Sequence, residues 1–183
     1  MRMVEKEKGL FETLLSEKEI LDRVNELGEE ITQDYESSNH DLVLIGILNG
    51  AFMFTSDLAK SISHPDIYID FMKLSSYTKD QNTDGEPKIL SDTKRSIMNT
   101  DVIIIEDIVD TGYSMDTLLK MLYARNPNSI KVCSLLSKPS KREIYVPIDY
   151  LGFQIPDAWV LGYGLDEGGK YRNGRDIIRK IQV

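Results

Sequence analysis

The apolar residues of this chain follow two alternating patterns. Apolar positions with helical spacing follow the capping box Ser16-x-x-Glu19 and are Ile20, Val24, Leu27, Ile31 and Tyr35. Continuous apolar runs of strand length cover Leu42–Leu48, Ile67–Leu74, residues 102–105 and residues 130–136. Further helical patterns begin after Gly50 and cover residues 114–125. Strands that are buried on both faces and alternate with helices predict a parallel sheet wrapped by helices.

The third of these strands leads into a segment rich in polar groups. Glu106 and Asp107 stand at its carboxyl end, and residues 110–114 read Asp-Thr-Gly-Tyr-Ser before the next helix. Such a loop can present successive backbone N–H groups, two hydroxyls and a helix N-terminus to one anion, which predicts a phosphate site. The two carboxylates would repel that phosphate. They therefore indicate ligand hydroxyl groups, a hydrated Mg²⁺, or both, and a ribose 5-phosphate meets all of these demands.

Composition narrows the class of protein. The chain has 183 residues, 41% of them hydrophobic and 28% charged, as expected for a soluble globular protein of one domain. A net charge of −8 and a pI near 4.8 argue against nucleic-acid partners. Cys133, the only cysteine, lies in an apolar run and is predicted to be a core residue. The charged start and the lack of a long apolar run predict a cytoplasmic protein with no membrane partner.

The run Ile-Ile-Glu-Asp-Ile-Val-Asp-Thr-Gly at residues 104–112 resembles the phosphoribosyl-pyrophosphate signature of type I phosphoribosyltransferases, most closely that of the hypoxanthine-guanine members. The resemblance extends over roughly residues 10–180. It implies an α/β fold of the type I phosphoribosyltransferase kind, with a central, mostly parallel sheet flanked by helices. Residues 1–183 would form one domain, with a small hood from about residues 1–15 and 150–183 and a mobile lid at about residues 75–90.

The resemblance also implies how the sugar and pyrophosphate are bound. The phosphoribosyl group would contact Glu106, Asp107, Asp110, Thr111, Gly112, Tyr113 and Ser114. Pyrophosphate would contact Leu48, Asn49, Gly50, Lys73 and Arg172, with a cis peptide expected between Leu48 and Asn49. Mg²⁺ would be held at Glu106, Asp107 and Asp166. Ser76 and Tyr77 would be the lid residues that close over the reacting centre.

The base would be bound by the hood. The purine-binding residues implied by the resemblance are Ile108, Lys138, Trp159, Val160 and Asp166. Trp159 would stack on one face of the purine and Ile108 on the other, while Lys138 would donate to the 6-oxygen. By composition alone, a single tryptophan is more often a core residue and a single lysine is more often solvated, so these roles depend on the resemblance.

The implied reaction joins a 6-oxopurine to 5-phosphoribosyl 1-pyrophosphate, giving a purine nucleoside 5′-monophosphate and pyrophosphate. Asp110 is the candidate general base, taking the proton from N7 of the purine. A xanthine-preferring sister enzyme would share every phosphate contact. A non-catalytic sensor of phosphoribosyl pyrophosphate is the second alternative, and a uracil-type member that binds RNA is disfavoured by the acidic balance.

Three positions depart from some better-known relatives. Some relatives carry lysine in place of Asn49 and some carry arginine in place of Lys73, while lysine or leucine is common in place of Tyr113. Lys73 keeps a positive charge but loses the bidentate guanidinium, and Asn49 puts the strength of pyrophosphate binding in question. The family forms dimers or tetramers, so a homodimer or homotetramer is expected. The apolar residues Phe52, Met53 and Phe54 near the first loop are candidates for such an interface.

Overall fold

The computed structural model describes residues 10–64, 66–75 and 88–181. Its strands are β1 (Phe11–Leu15), β2 (Leu42–Leu48), β3 (Ile67–Leu74), β4 (Ile89–Ser91), β5 (Asp101–Val109), β6 (Ser129–Ser137), β7 (Tyr150–Gln154), β8 (Val160–Leu161) and β9 (Ile177–Lys180). Its helices are α1 (Glu17–Tyr35), α2 (Phe52–Ser61), α3 (Tyr113–Tyr123) and a 3₁₀ turn at Pro139–Lys141. No helix in the described ranges has the length and hydropathy needed to cross a membrane.

Six strands form the central sheet in the order β4-β3-β2-β5-β6-β7. All neighbouring pairs are parallel except β3 and β4. This confirms the predicted α/β fold with a mostly parallel sheet. In such a sheet the ligand site is expected at the carboxyl ends of the central strands, which here are β2, β5 and β6.

The two faces of β5 are covered by different helices. Ile103 and Ile105 pack on one face in a cluster with residues of α1 and α2, whereas Val102 and Ile104 pack on the other face with residues of α3. Because side chains alternate along a strand, a continuous β-branched run buries both faces at once. The capping box at Ser16 and Glu19 is present at the start of α1, and Cys133 is fully buried in the first cluster.

A second, antiparallel sheet has the order β1-β9-β8 and brings the two ends of the described chain together. Its strands lie in the two segments that the sequence analysis assigned to a hood, and the hood itself stays a prediction. Tyr150–Gln154, which the sequence analysis assigned to the hood, forms β7 and pairs with β6 in the central sheet. Cys133 of β6 pairs with Tyr150 of β7, and both side chains are buried. Strand β7 is therefore part of the main core.

The apolar segment at the start of α2 divides between core and surface. Phe54 is fully buried in the core, whereas Phe52 is 41% exposed and Met53 is partly buried. The expectation that Phe54 contributes to an interface between subunits was therefore wrong. Three consecutive helical residues point in different directions, and Phe54 faces the sheet because it lies two positions from Phe52 on a 3.6-residue turn.

Candidate active site

Two adjacent carboxylates lie at the carboxyl end of β5. The Asp107 N–H donates to Glu106 Oε1 at 3.1 Å, and the Ile108 N–H donates to Asp107 Oδ1 at 2.8 Å. Burial and the neighbouring Asp107 raise the pKa of Glu106 well above its usual value, and burial also raises the pKa of Asp107. The pair therefore holds negative charge at an energetic cost in the free protein, which a cation or hydroxyl donor could offset.

The next segment forms a phosphate-sized concavity. The Thr111 carbonyl accepts the N–H groups of Glu143 and Ile144, both at 3.0 Å. Because C=O and the following N–H point in opposite directions across a trans peptide, the Gly112 N–H faces the other way. Within the described residues, the N–H groups of Thr111 and Gly112 have no acceptor. These free donors and the start of α3 make a candidate anion site.

Gly112 is required by the shape of this loop. Its φ of +98° lies in the left-handed region, and a side chain there would collide with the Ile144 carbonyl oxygen. The concavity has a volume of about 110 Å³. Its walls are Glu106, Ile108, Val109, Asp110, Thr111, Gly112, Ser114 and Met115. The Tyr113 hydroxyl donates to Glu143 Oε2 at 3.1 Å, so this departure from better-known relatives ties the loop to the segment behind it.

The first loop lies directly against the acid pair. The Leu48–Asn49 peptide is cis, as expected. A side chain at Gly50 would collide with the Asp107 carboxylate, and one at Gly164 would collide with the Gly50 carbonyl oxygen. The backbone of the first loop therefore packs closely against the end of β5, and the segment after β8 packs closely against the first loop.

The predicted pyrophosphate cation Arg172 belongs to the same group. It donates to the Gly164 carbonyl and to Asp166 Oδ1, each at 2.6 Å, and its charge acts to lower the pKa of Asp107. Asp166 Oδ2 accepts the Gly169 N–H. Lys73 stands opposite Leu48 in the β2–β3 register, beside the first loop. The structure thus gathers these predicted pyrophosphate-binding residues at one sheet edge.

Two lysines lie near the candidate base Asp110, and both also approach Asp157. Lys138 Nζ lies 4.0 Å from Asp110 Oδ2 and 3.7 Å from Asp157 Oδ1, and Lys141 Nζ lies 3.8 Å and 3.5 Å from the same two atoms. Lys138 is buried, and its N–H donates to the Val109 carbonyl at 3.1 Å. Asp110 Oδ1 is buried and has no hydrogen-bond partner in the described part of the chain. It is therefore a free acceptor.

Lys141, Asp157 and Arg142 are site residues to which the sequence analysis assigned no role. Arg142 donates to the carbonyl of Asp110 at 2.9 Å and to that of Val109 at 3.0 Å. No local spacing signals these three residues, because surface lysines and aspartates are common and their meeting depends on how the hood folds onto the sheet. The one sequence feature that pointed to this group was Lys141, which lies three positions after Lys138.

Two of the predicted base-binding residues line different cavities. Ile108 lines the phosphate concavity, whereas Trp159, 57% exposed, lines a separate cavity of about 540 Å³. That cavity is bounded by Glu12, Pro156, Asp157, Ala158, Trp159, Arg179, Lys180 and Ile181. Val160 is buried in β8. Stacking of a purine between Ile108 and Trp159 stays a prediction, as does the lid, since Ser76 and Tyr77 lie outside the described residues.

The carboxylates present suit a metal that keeps much of its own hydration. Among the described residues, no three His, Cys, Asp or Glu side chains converge on one point. A fully protein-ligated metal centre is therefore not formed by these ranges. Mg²⁺ commonly binds through one or two carboxylates together with water and substrate phosphates, and Glu106 with Asp107 offers that arrangement.

Comparisons with known proteins agree with this geometry. Residues 11–168 match the model of the phosphoribosyl transferase domain. The hypoxanthine phosphoribosyltransferase of Escherichia coli K12 is 43% identical over 168 residues, covering 91% of this chain and 93% of the relative. The hypoxanthine-guanine phosphoribosyltransferase of Dictyostelium discoideum is 46% identical over 163 residues, covering 88% and 90%. A Staphylococcus aureus hypoxanthine phosphoribosyltransferase structure superposes with a TM-score of 0.89 at 40% identity, covering 100% of this chain and 97% of the other.

Proposed function

Because this chain belongs to the phosphoribosyltransferase family, a family of pentosyltransferase enzymes, we propose that it transfers the phosphoribosyl group of 5-phosphoribosyl 1-pyrophosphate to hypoxanthine, guanine or both. The products would be IMP or GMP and pyrophosphate, which makes the enzyme one of purine salvage. The observation that carries the proposal is the 41–46% identity to curated hypoxanthine and hypoxanthine-guanine enzymes over most of the chain. The sheet-edge site is consistent with this reaction.

The sugar phosphate is held by backbone and by the acid pair. The free N–H groups of Thr111 and Gly112 and the start of α3 bind the 5′-phosphate, and Ser114 adds a hydroxyl at the same wall. Glu106 and Asp107 accept hydrogen bonds from the ribose hydroxyls. Fixing both ends of the sugar holds the anomeric carbon in line between the leaving pyrophosphate and the base.

Asp110 acts as the general base in this proposal. Its buried Oδ1 has no partner among the described residues and can accept the N7 proton of the purine as N9 attacks the anomeric carbon. Lys138 donates to the 6-oxygen, and Lys141 and Asp157 hold the local charge near balance. Trp159 and Ile108 would pack on the two faces of the ring, and the main chain at Val160 would meet its edge.

A hydrated Mg²⁺ fits the acid pair. Two adjacent carboxylates whose pKa values are raised by burial, and for Glu106 also by its neighbour, lower their energy when a cation is bound. Asp166 is the candidate ligand on the pyrophosphate side, once Arg172 turns from it to the phosphate. When bound, Mg²⁺ neutralises charge on the departing pyrophosphate. The residues of this chain position the ion and the pyrophosphate through Leu48, Asn49, Gly50, Lys73 and Arg172.

The reaction is tested by pyrophosphate release from phosphoribosyl pyrophosphate, run separately with hypoxanthine, guanine, xanthine, adenine and uracil, with Mg²⁺ and with EDTA. Turnover with hypoxanthine or guanine that EDTA abolishes is the expected result. Fastest turnover with xanthine would indicate the sister enzyme. No turnover with any base, together with tight phosphoribosyl-pyrophosphate binding, would overturn the enzyme reaction in favour of a sensor.

Assembly and location are also proposals. The exposed Phe52 near the first loop is consistent with a homodimer or homotetramer. Light scattering on the purified protein measures the assembly directly, and a monomer at micromolar concentration would contradict it. A cytoplasmic location is proposed with it and is tested by cell fractionation.

A further inference from the structure

Arg142 differs from the other described arginines in having no acidic partner. Six of them lie within ion-pair distance of a carboxylate, namely Arg23, Arg95, Arg125, Arg172, Arg175 and Arg179. In the described ranges, no carboxylate lies that close to the Arg142 guanidinium. Its hydrogen bonds go instead to neutral acceptors, which are the carbonyls of Asp110 and Val109 and the Ser137 hydroxyl, at 2.9 to 3.0 Å.

These contacts determine which way the phosphate loop faces. The Asp110 carbonyl accepts from the Arg142 guanidinium, and the Val109 carbonyl accepts from this guanidinium and from the Lys138 backbone N–H. The Thr111 carbonyl accepts the backbone N–H groups of Glu143 and Ile144. Three consecutive carbonyls are thus held on one side of the loop. Across each trans peptide the following N–H points to the opposite side, which is the side of the phosphate concavity.

The stem of the side chain also packs against this loop. Arg142 Cδ lies 3.2 Å from the position that a Cβ at Gly112 would occupy. The guanidinium is therefore fixed behind the glycine whose N–H faces the concavity. A planar fork can hold two carbonyls at once, whereas a lysine ammonium in the same place is a single point donor.

The charge of Arg142 is available to a ligand. Burial lowers the pKa of Arg142, but a guanidinium keeps its proton in proteins, so a positive charge stays behind the loop. The hydrogen-bond acceptors of this guanidinium are neutral, and the charge of Asp110 acts on it without forming an ion pair among the described residues. The carboxyl group of Glu106 lines the concavity on the other side, in a chain with a net charge of −8. A phosphate dianion needs local compensation there, and charges interact strongly where water is partly excluded.

We propose that Arg142 is a positioning residue of the phosphate site, which orients the loop N–H groups through the Val109 and Asp110 carbonyls and supplies a positive charge behind them. This inference rests on the proposed function, because it takes the bound anion to be the 5′-phosphate of the sugar. It assigns Arg142 no contact with the reacting atoms.

Calorimetric titration with ribose 5-phosphate tests this role directly. Arg142→Gln removes both the charge and the planar guanidinium with its several N–H donors. Arg142→Lys keeps the charge but loses the planar guanidinium. The matched control is Arg125→Gln, which removes an equally charged, partly buried guanidinium just beyond the opposite end of α3, where it is paired with Asp92. Inosine, which lacks the phosphate, serves as the control ligand.

The wild type is expected to bind ribose 5-phosphate, and Arg142→Gln to raise its Kd by about tenfold or more, as for loss of a charge-assisted contact. Arg142→Lys should give an intermediate increase of about threefold, since it keeps only the charge. Inosine affinity and the KM for the purine base should change by less than about twofold in every variant, and Arg125→Gln should resemble the wild type.

Equal ribose 5-phosphate affinity in Arg142→Gln, Arg125→Gln and the wild type would overturn the inference while leaving the proposed reaction intact. An equal loss of ribose 5-phosphate and inosine binding would also overturn it, because that is the pattern of general disruption. If Arg142→Gln does not fold, Arg142→Lys alone decides, and wild-type affinity in that variant excludes positioning by the fork. Failure of the wild type to bind ribose 5-phosphate or to turn over would instead overturn the proposed function itself.

Discussion

The two ends of β5 both carry buried carboxylates, but only at one end do several side chains donate hydrogen bonds to them. Asp101, at the amino end, is 4% exposed and accepts hydrogen bonds from Ser38 at 2.7 Å, Asn128 at 2.7 Å and Ser129 at 2.6 Å. At the carboxyl end, the N–H donors to the carboxyl groups of Glu106 and Asp107 found within the described residues are those of Asp107 and Ile108 alone. The pKa of Asp101 is lowered, whereas those of Glu106 and Asp107 are raised.

This contrast separates stability from function along one strand. A buried carboxylate with several donors stabilises the folded chain, because those hydrogen bonds exist before any ligand arrives. The other end carries two carboxyl groups with raised pKa values and an Asp110 oxygen that has no hydrogen-bond partner among the described residues. It also carries Arg142, which has no carboxylate within ion-pair distance in the described ranges. Polar and charged groups that lack partners within the protein are typical of a site whose partners are supplied by the substrate.

Asp110→Asn is expected to give the largest effect. The amide cannot take the purine proton, so kcat should fall by about 10²- to 10⁴-fold, the usual contribution of a general base. Ribose 5-phosphate affinity should change by less than about threefold, because the loop N–H groups are unchanged. Steady-state kinetics and calorimetry measure the two quantities. Asp101→Asn is the control at the other end of β5, and a kcat within tenfold of wild type for Asp110→Asn would refute the role of base.

Asp101→Asn is expected to act on stability alone. It replaces charged hydrogen bonds by weaker neutral ones, and hydrogen bonds to charged groups contribute roughly 1.5–3 kcal/mol. We therefore expect the free energy of unfolding at pH 7 to fall by about that amount, with kcat of the folded protein unchanged. Urea denaturation and initial rates at 25 °C measure both. A marked loss of kcat without loss of stability would show that the two ends of the strand are coupled.

Glu106→Gln is expected to change stability in the opposite direction. Removing one of two adjacent buried charges relieves repulsion, so the metal-free and ligand-free protein should become more stable by about 1 kcal/mol, in the manner of a stability–activity trade-off. Turnover should fall, since Glu106 is proposed to hold the ribose hydroxyls. The melting temperatures of this variant, of Asp101→Asn and of the wild type are measured by thermal unfolding in EDTA. A lower melting temperature for both variants would mean that the acid pair is already satisfied in the free protein.

The sequence was sufficient for the parts of the fold and site that depend on local pattern. The continuous apolar run of β5 predicted burial on both faces, and Asp-Thr-Gly predicted a loop leading into the helix α3. The place of β7 was not predicted, because a short strand near the hood and one in the main sheet have the same alternation of residues. Arg142 and Asp157 were missed because their roles arise where two separate segments meet in space.

The pH dependence of the Asp101 contribution is the smallest expected effect, and it tests the contrast without changing the site. Burial opposes ionisation of Asp101, but the hydrogen bonds from Ser129, Ser38 and Asn128 outweigh it and lower its pKa. A carboxylate with a lowered folded-state pKa contributes stability above the unfolded pKa of about 4 and loses it as pH falls through the folded value. Asn at this position does not titrate. The difference in unfolding free energy between wild type and Asp101→Asn should therefore be constant above about pH 5 and narrow below about pH 4, where urea denaturation of both proteins measures it. Contributions from the other carboxyl groups cancel in this difference, so parallel curves down to pH 3 would show that the amino end of β5 does not hold its carboxylate in the charged form.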